Sequence, residues 1–191
     1  SKPGWSKVVR TASGFLGPQA ISMHMGVGTG DHLIRIKDQT YHVHSRRGKN
    51  VIMRKQGDGT FLPSAALSFG GVHNHEPLVK AMDLAPKKRH QWADQNGDGL
   101  VQEREMISID LPAGVEKEVS AAYWGDGVGQ DLAIYTAVRQ YRGNRAEAHQ
   151  LWKFPVKEWT ACGAPVYDVA HPVVLVAELP VKNVTSIAAL K

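Results

Sequence analysis

"HLIRIKDQTYHVHSRRGKNVIMRKQ", residues 32–56, decides the fold. Its segments HLIRIKD, QTYHVHS and NVIMRKQ carry a period-two alternation of apolar and polar side chains, which puts one set on a buried face and the other outside. The short breaks KDQ and SRRGKN separate them, and KQGDGT (55–60) supplies an Asp-Gly pair suited to a tight hairpin. TFLPSAALSF (60–69) follows as a fourth strand. Residues 32–69 therefore predict a four-stranded antiparallel meander.

The pattern weakens and then resumes. In HNHEPLVKAMDLAPKKRHQW (73–92), Leu78, Met82 and Ala85 have helical spacing, but Pro86 stops a helix there, so one short helix or an irregular excursion is expected. DLAIYTAV (131–138) and HQLWKFPV (149–156) read as strands joined by RQYRGNRAEA, and GAPVYDV (163–169) and HPVVLVAELP (171–180) read as two more. Pro155, Pro165 and Pro172 each lack a ladder donor and mark strand starts, edges or turns. The class predicted is mostly β, built of antiparallel four-stranded meanders. Blocks 31–71 and 92–180 share this plan, which fits propeller blades; so few blades cannot close a ring, and a β-sandwich or barrel is the alternative. Three regions follow: 1–30 as an N-terminal extension and edge strand, 31–91 as a first blade with an excursion, and 92–191 as a longer second region.

Composition narrows the function classes. The chain has 191 residues and a formal net charge of +5. Its basic residues, such as Arg46, Arg47, Lys49, Arg54, Lys87, Lys88 and Arg89, are scattered without interleaved aromatics, so no nucleic-acid surface is expected. No apolar run approaches the roughly twenty residues of a membrane span. The N-terminal SKPGWSKVVR lacks a signal-peptide layout but begins without Met, leaving secretion open. A single cysteine, Cys162, excludes an internal disulfide and a cysteine-rich zinc site.

The strongest chemical signal is WADQNGDGLVQEREM, residues 92–106. Counted from Asp94, the acids and amides Asp94, Asn96 and Asp98 stand at positions one, three and five. Gly99 is at six, Leu100 at seven, Gln102 at nine and Glu105 at twelve. This is the spacing of an EF-hand calcium loop. A hard cation takes six to eight oxygens at about 2.3–2.6 Å, so short side chains must converge from one tight curl. Gly99 allows the turn, Leu100 offers a carbonyl, Gln102 a direct or water-borne ligand, and Glu105 two oxygens. The alternative is a solvated acidic turn. The flanking helices of a true hand are missing: Pro86 interrupts upstream, and MISIDLPAG (106–114) reads as a strand. The expectation is an isolated calcium loop between β elements that staples structure.

The loop, followed by AAYWGDGVGQDLAIYTA (121–137) and QLWKFPVKEWTACGAPVYDVA (150–170), resembles blades of large secreted bacterial β-propeller proteins. In those, a Trp-x-Asp-x-Asn-Gly-Asp-Gly loop opens a blade and a Phe-Pro … Gly-x-Pro-Val-Tyr-Asp strand pair follows. The resemblance covers about residues 31–180 and is more specific at the loop than elsewhere. It implies a piece or subunit of an extracellular or periplasmic propeller, with calcium holding a blade edge, and it implies no single activity.

Other constellations compete with plainer readings. His42 and His44 share one face of a strand, as do His73 and His75 if extended; with Glu76 they form a weak alternative metal site, against ordinary polar-face histidines. His24 stands between two methionines that read as core filler. GVGTGD (26–31) lacks the spacing and the helix of a phosphate loop. Asp126 and Asp131 in YWGDGVGQD form either a second cation loop or a turn. Trp92, Trp124, Trp152 and Trp159 pack between blades or, where exposed, stack on a sugar. Three functions are thus open. The first is a calcium-stabilised module that joins further blades or another protein chain. The second is a subunit of a metal- or quinone-dependent enzyme with a histidine-lined site, and the third a module that binds polysaccharide.

Overall fold

The computed structural model describes residues 31–46, 49–69, 88–121 and 126–179. Their regular structure is almost entirely strand: β1 (Asp31–Ile36), β2 (Gln39–Arg46), β3 (Lys49–Lys55), β4 (Phe61–Phe69), β5 (Lys88–Ala93), β6 (Met106–Asp110), β7 (Lys117–Ser120), β8 (Gly127–Val128), β9 (Ile134–Arg142), β10 (Arg145–Phe154), β11 (Val156–Trp159), β12 (Pro165–Tyr167) and β13 (Val173–Val176). One 3₁₀ turn, Glu103–Glu105, is the only helix among the described residues. None there is long and apolar enough to cross a membrane.

The meander read from residues 32–69 is present and continues. Strands β1 to β6 form one antiparallel sheet in sequence order. The division expected after residue 91 falls within β5, which pairs with β4 on one side and β6 on the other. Most of the helix or excursion expected at 73–92 lies outside the described residues; its end is β5. A second antiparallel sheet has the order β13-β10-β9-β7, with β8 also on β9, and β11 and β12 form a separate pair. There the ten residues expected as a connection, RQYRGNRAEA, are mostly strand. β9 runs to Arg142, β10 starts at Arg145, and Gly143, at φ +58°, turns the chain. Their exposed, polar hairpin end hid the strand pattern.

The two sheets and β12 share a core. Ile34, Tyr41, Val43, Ile52, Ala65 and Leu67 of the first sheet meet Ile134, Val138, Trp152 and Phe154 of the second, with Tyr167 and Val169 beside them. Alternation explains the sides. Tyr41 and Val43 point into this core, while His42 lies against Phe61 on the opposite face. That opposite face carries its own cluster, Val51, Met53, Phe61, Ala66 and Trp92, covered partly by Val101 and Met106.

A bulge explains a proline inside a central strand. Across β3 and β4, Ile52 faces Ala65 but Met53 faces Pro63, so Ser64 is the extra residue. Pro63 thus sits where the ladder is broken, as its missing N–H requires. The Ser64 hydroxyl bonds the Ile52 carbonyl, and its own carbonyl accepts the amide of Asp94 at 2.9 Å. The bulge thereby fixes where the chain leaves β5.

Candidate metal centre

The sequence-predicted calcium loop joins β5 to β6, adjacent strands of one sheet. Asp94 is 0% exposed. Its Oδ1 accepts the Gly97 amide at 2.7 Å and its Oδ2 the Gly99 amide at 3.3 Å. The Asn96 side-chain oxygen accepts the Asp98 amide, and Asp98 Oδ1 accepts the Leu100 amide. Each short side chain thus turns the backbone that follows it, the usual habit of Asp and Asn in curls. Gly97 and Gly99 adopt φ +83° and +70°. At Gly99 a Cβ would lie 2.6 Å from Leu62, so glycine is required for space as well as for backbone angle.

The loop closes on a buried acid. Glu105, 4% exposed, accepts the Trp92 indole N–H at 2.9 Å and the Gln95 amide at 3.1 Å. Trp92 is fully buried in the outer-face cluster, so it ties the twelfth position of the loop to the sheet. On the other side, the Cys162 thiol donates to the Asp94 carbonyl at 3.0 Å and to or from Thr160 at 3.1 Å. That contact docks the β11–β12 hairpin beside the loop and accounts for the lone cysteine.

Two carboxylates, Asp94 and Glu105, are therefore buried, and neither has an ion pair with any described residue. A buried charge is costly unless it is paired or coordinates a metal. Each N–H they accept uses one lone pair of an oxygen and leaves another. Asp94, Asn96, Asp98, Gln102 and Glu105 with the Leu100 carbonyl make an all-oxygen donor set, which suits a hard cation and not a soft one. Asp98 is exposed here: its Oδ2 accepts from Asn96 and Gln102 at 2.9 and 2.7 Å. Accordingly, no three His, Cys, Asp or Glu side chains among the described residues gather as a ready metal shell. The donors share one loop; they do not yet point at one center.

The other expected site residues are dispersed. His42 and His44 do share a face of β2, away from the main core, and His44 is buried. His73 and His75 lie outside the described residues, as do His24 and Trp124. Asp126 and Asp131 do not converge. Asp131 accepts Lys153 at 3.2 Å and the Ala133 amide; desolvation is the largest single influence on its carboxyl and pushes it up, but those bonds and the Lys153 charge together hold it below its usual range. Asp126 turns inward: Thr136 donates to it at 2.6 Å, Asn50 at 3.0 Å and Ser120 at 3.3 Å. Trp152 is buried in the core, whereas Trp159 is 41% exposed and tilts against Tyr41, ring centers 5.6 Å apart.

Sequence reasoning missed a second buried charge system. Arg89 on β5 makes a two-point ion pair with Glu118 on β7, at 2.8 and 2.9 Å, and also bonds the Val169 carbonyl. Its guanidinium lies 4.9 Å from the Trp152 ring. The pair is separated by 29 residues in a stretch of ordinary surface-like composition, so no local signal marks it. It joins the sheets and leaves no open face for a ligand.

No family model matches the chain, and neither does any curated protein or solved structure.

Proposed function

We propose that this chain is a calcium-stabilised structural or binding module of an extracytoplasmic β-rich protein, one that assembles with further blades or another chain. The observation that carries the reading is the pair of buried carboxylates, Asp94 and Glu105, in a twelve-residue loop with the calcium spacing and no cation supplied by the described residues. Asp94, Asn96, Asp98, Gln102 and Glu105 with the Leu100 carbonyl would hold the ion. Its charge would offset Asp94, Asp98 and Glu105, three of the four acids in the twelve residues, and clamp the β5–β6 connection. The role is structural. Calcium outside cells suits extracellular modules with affinities of roughly 10⁻⁴–10⁻³ M, which agrees with an extracellular or periplasmic setting.

Assembly is supported by β13. Val173, Val174, Leu175 and Val176 are all exposed on a strand that, among the described residues, ends its sheet. An uncharged, apolar edge is the kind of surface that pairs with another β chain.

The test is thermal unfolding in calcium and in a chelator, with elemental analysis and tryptophan fluorescence on the same sample. One calcium per chain, a midpoint several degrees higher in calcium, and an emission change on binding are expected. No calcium and no shift would overturn the reading.

A further inference from the structure

We propose that Asp126 is a proton-operated latch between the two sheets: it can take up a proton inside the folded protein, and the sheet junction tightens when it does.

Asp126 is 1% exposed. Its carboxylate is held by Asn50 of β3 from the first sheet and by Ser120 of β7 and Thr136 of β9 from the second. Its backbone amide donates to the Ser45 hydroxyl of β2 at 2.7 Å. One residue is thus bonded to two strands of each sheet. All four partner side chains are neutral.

No described charged side chain on those strands bonds its carboxylate. Arg54 on β3 and Arg142 on β9 share the faces of Asn50 and Thr136 but stand further along their strands, and Arg142 is paired with Glu147. On β7 the next ionizable side chain on that face is Glu118, which Arg89 and Gln140 already hold. His44 on β2, with Tyr135 and Arg139 on β9, stand at odd offsets from Ser45 and Thr136 and so point to the opposite faces. Asn50 is flanked on its face of β3 by Ile52. A buried carboxylate without a cation favors its neutral form. Burial pushes Asp126 up to about 6, and the hydrogen bonds from Thr136, Asn50, Ser120 and Ser45 only partly oppose it. The proton has somewhere to go: a hydroxyl both donates and accepts, so Thr136, 2.6 Å away, can reverse its bond without leaving an orphan.

The sign follows from linkage. The folded form holds this proton more tightly than the unfolded chain, whose carboxyl titrates near 3.8. The contribution is fully present below the unfolded value and is lost as pH rises through about 6. Lowering pH from 7.5 to 5 should therefore raise the folding equilibrium constant roughly tenfold through this group alone.

The experiment is urea unfolding at pH 7.5 and pH 5, in chelator, for the natural chain and Asp126→Asn, with a ¹³C NMR titration of the Asp126 carboxyl in the natural chain. Expected are a carboxyl midpoint near 6 and, on acidification, a rise in the folding equilibrium constant about tenfold greater in the natural chain than in the variant. Equal pH responses of the two chains, or a carboxyl midpoint below about 4.5, would overturn the latch. If the variant does not fold, the NMR midpoint alone decides.

Discussion

Asp94 and Asp126 are equally hidden from solvent, and no described cation pairs with either, yet the surroundings treat their charge in opposite ways. Asp94 sits in a connection at the sheet's end, where its oxygens accept backbone amides of the loop it shapes. Around it, within twelve residues, stand Asp98 and Glu105. More negative charge nearby is what a divalent cation needs. Asp126 sits between two sheets among hydroxyls and one amide, with no second acid on its strands' facing side except the already paired Glu118. A lone acid among groups that can give or take a proton is suited to neutralization by a proton. Under the two proposals the same cost, a buried carboxylate, would be offset by a metal in one place and by protonation in the other.

The contrast can be broken most forcefully at Asp94. Asp94→Ala removes the acceptor for two loop amides along with a first-position ligand, and should cost about 3 kcal/mol in chemical unfolding while abolishing calcium binding by calorimetry. Removing calcium instead of the side chain is the next largest effect. At a hundredfold excess over Kd the ion contributes about 2.7 kcal/mol, so chelation should lower the midpoint by several degrees in the natural chain and leave Asp94→Ala unmoved. The Asp126→Asn chain should still respond to the chelator, because its acid lies outside the loop.

Smaller changes sharpen the comparison. Gly99→Ala must hold φ +70° and push Leu62 aside, which should cost about 1–2 kcal/mol in urea unfolding. Adding Leu62→Ala should return part of that loss, leaving the backbone share. Trp92→Phe keeps most of the packing but loses the indole N–H to Glu105. It should cost about 1 kcal/mol and weaken calcium several-fold in a titration followed by calorimetry; unchanged affinity would show that Glu105 needs no such support.

What could be read in the sequence was what is local. The alternation in residues 32–55 exposed β1 to β3 because each strand buries one face and pairs with its chain neighbor. The loop's spacing was visible because the residues that set it all fall between Asp94 and Glu105. Strand β7 was invisible: four residues, Lys117–Ser120, whose one fully buried side chain is an acid matched to Arg89 from a distant strand. The Asp126 junction was read as a turn or cation loop since its partners come from positions 45, 50, 120 and 136, which nothing in the local pattern connects. His42 and His44 share a face as alternation required, but whether His73 and His75 join them lies outside the described residues.

The sequence-ordered first sheet has a consequence for how the chain acquires its shape. All its pairings within the described residues join consecutive strands, and such short-range closure is fast compared with distant pairing. Synthesis therefore delivers a ready sheet before β9, β10 and β12 exist. Its face of Ile34, Val43, Ile52 and Leu67 must wait for Ile134, Phe154 and Tyr167 to arrive from the later half. Until then that face lacks its partners from the second sheet, and apolar surface exposed in this way is what a chaperone protects.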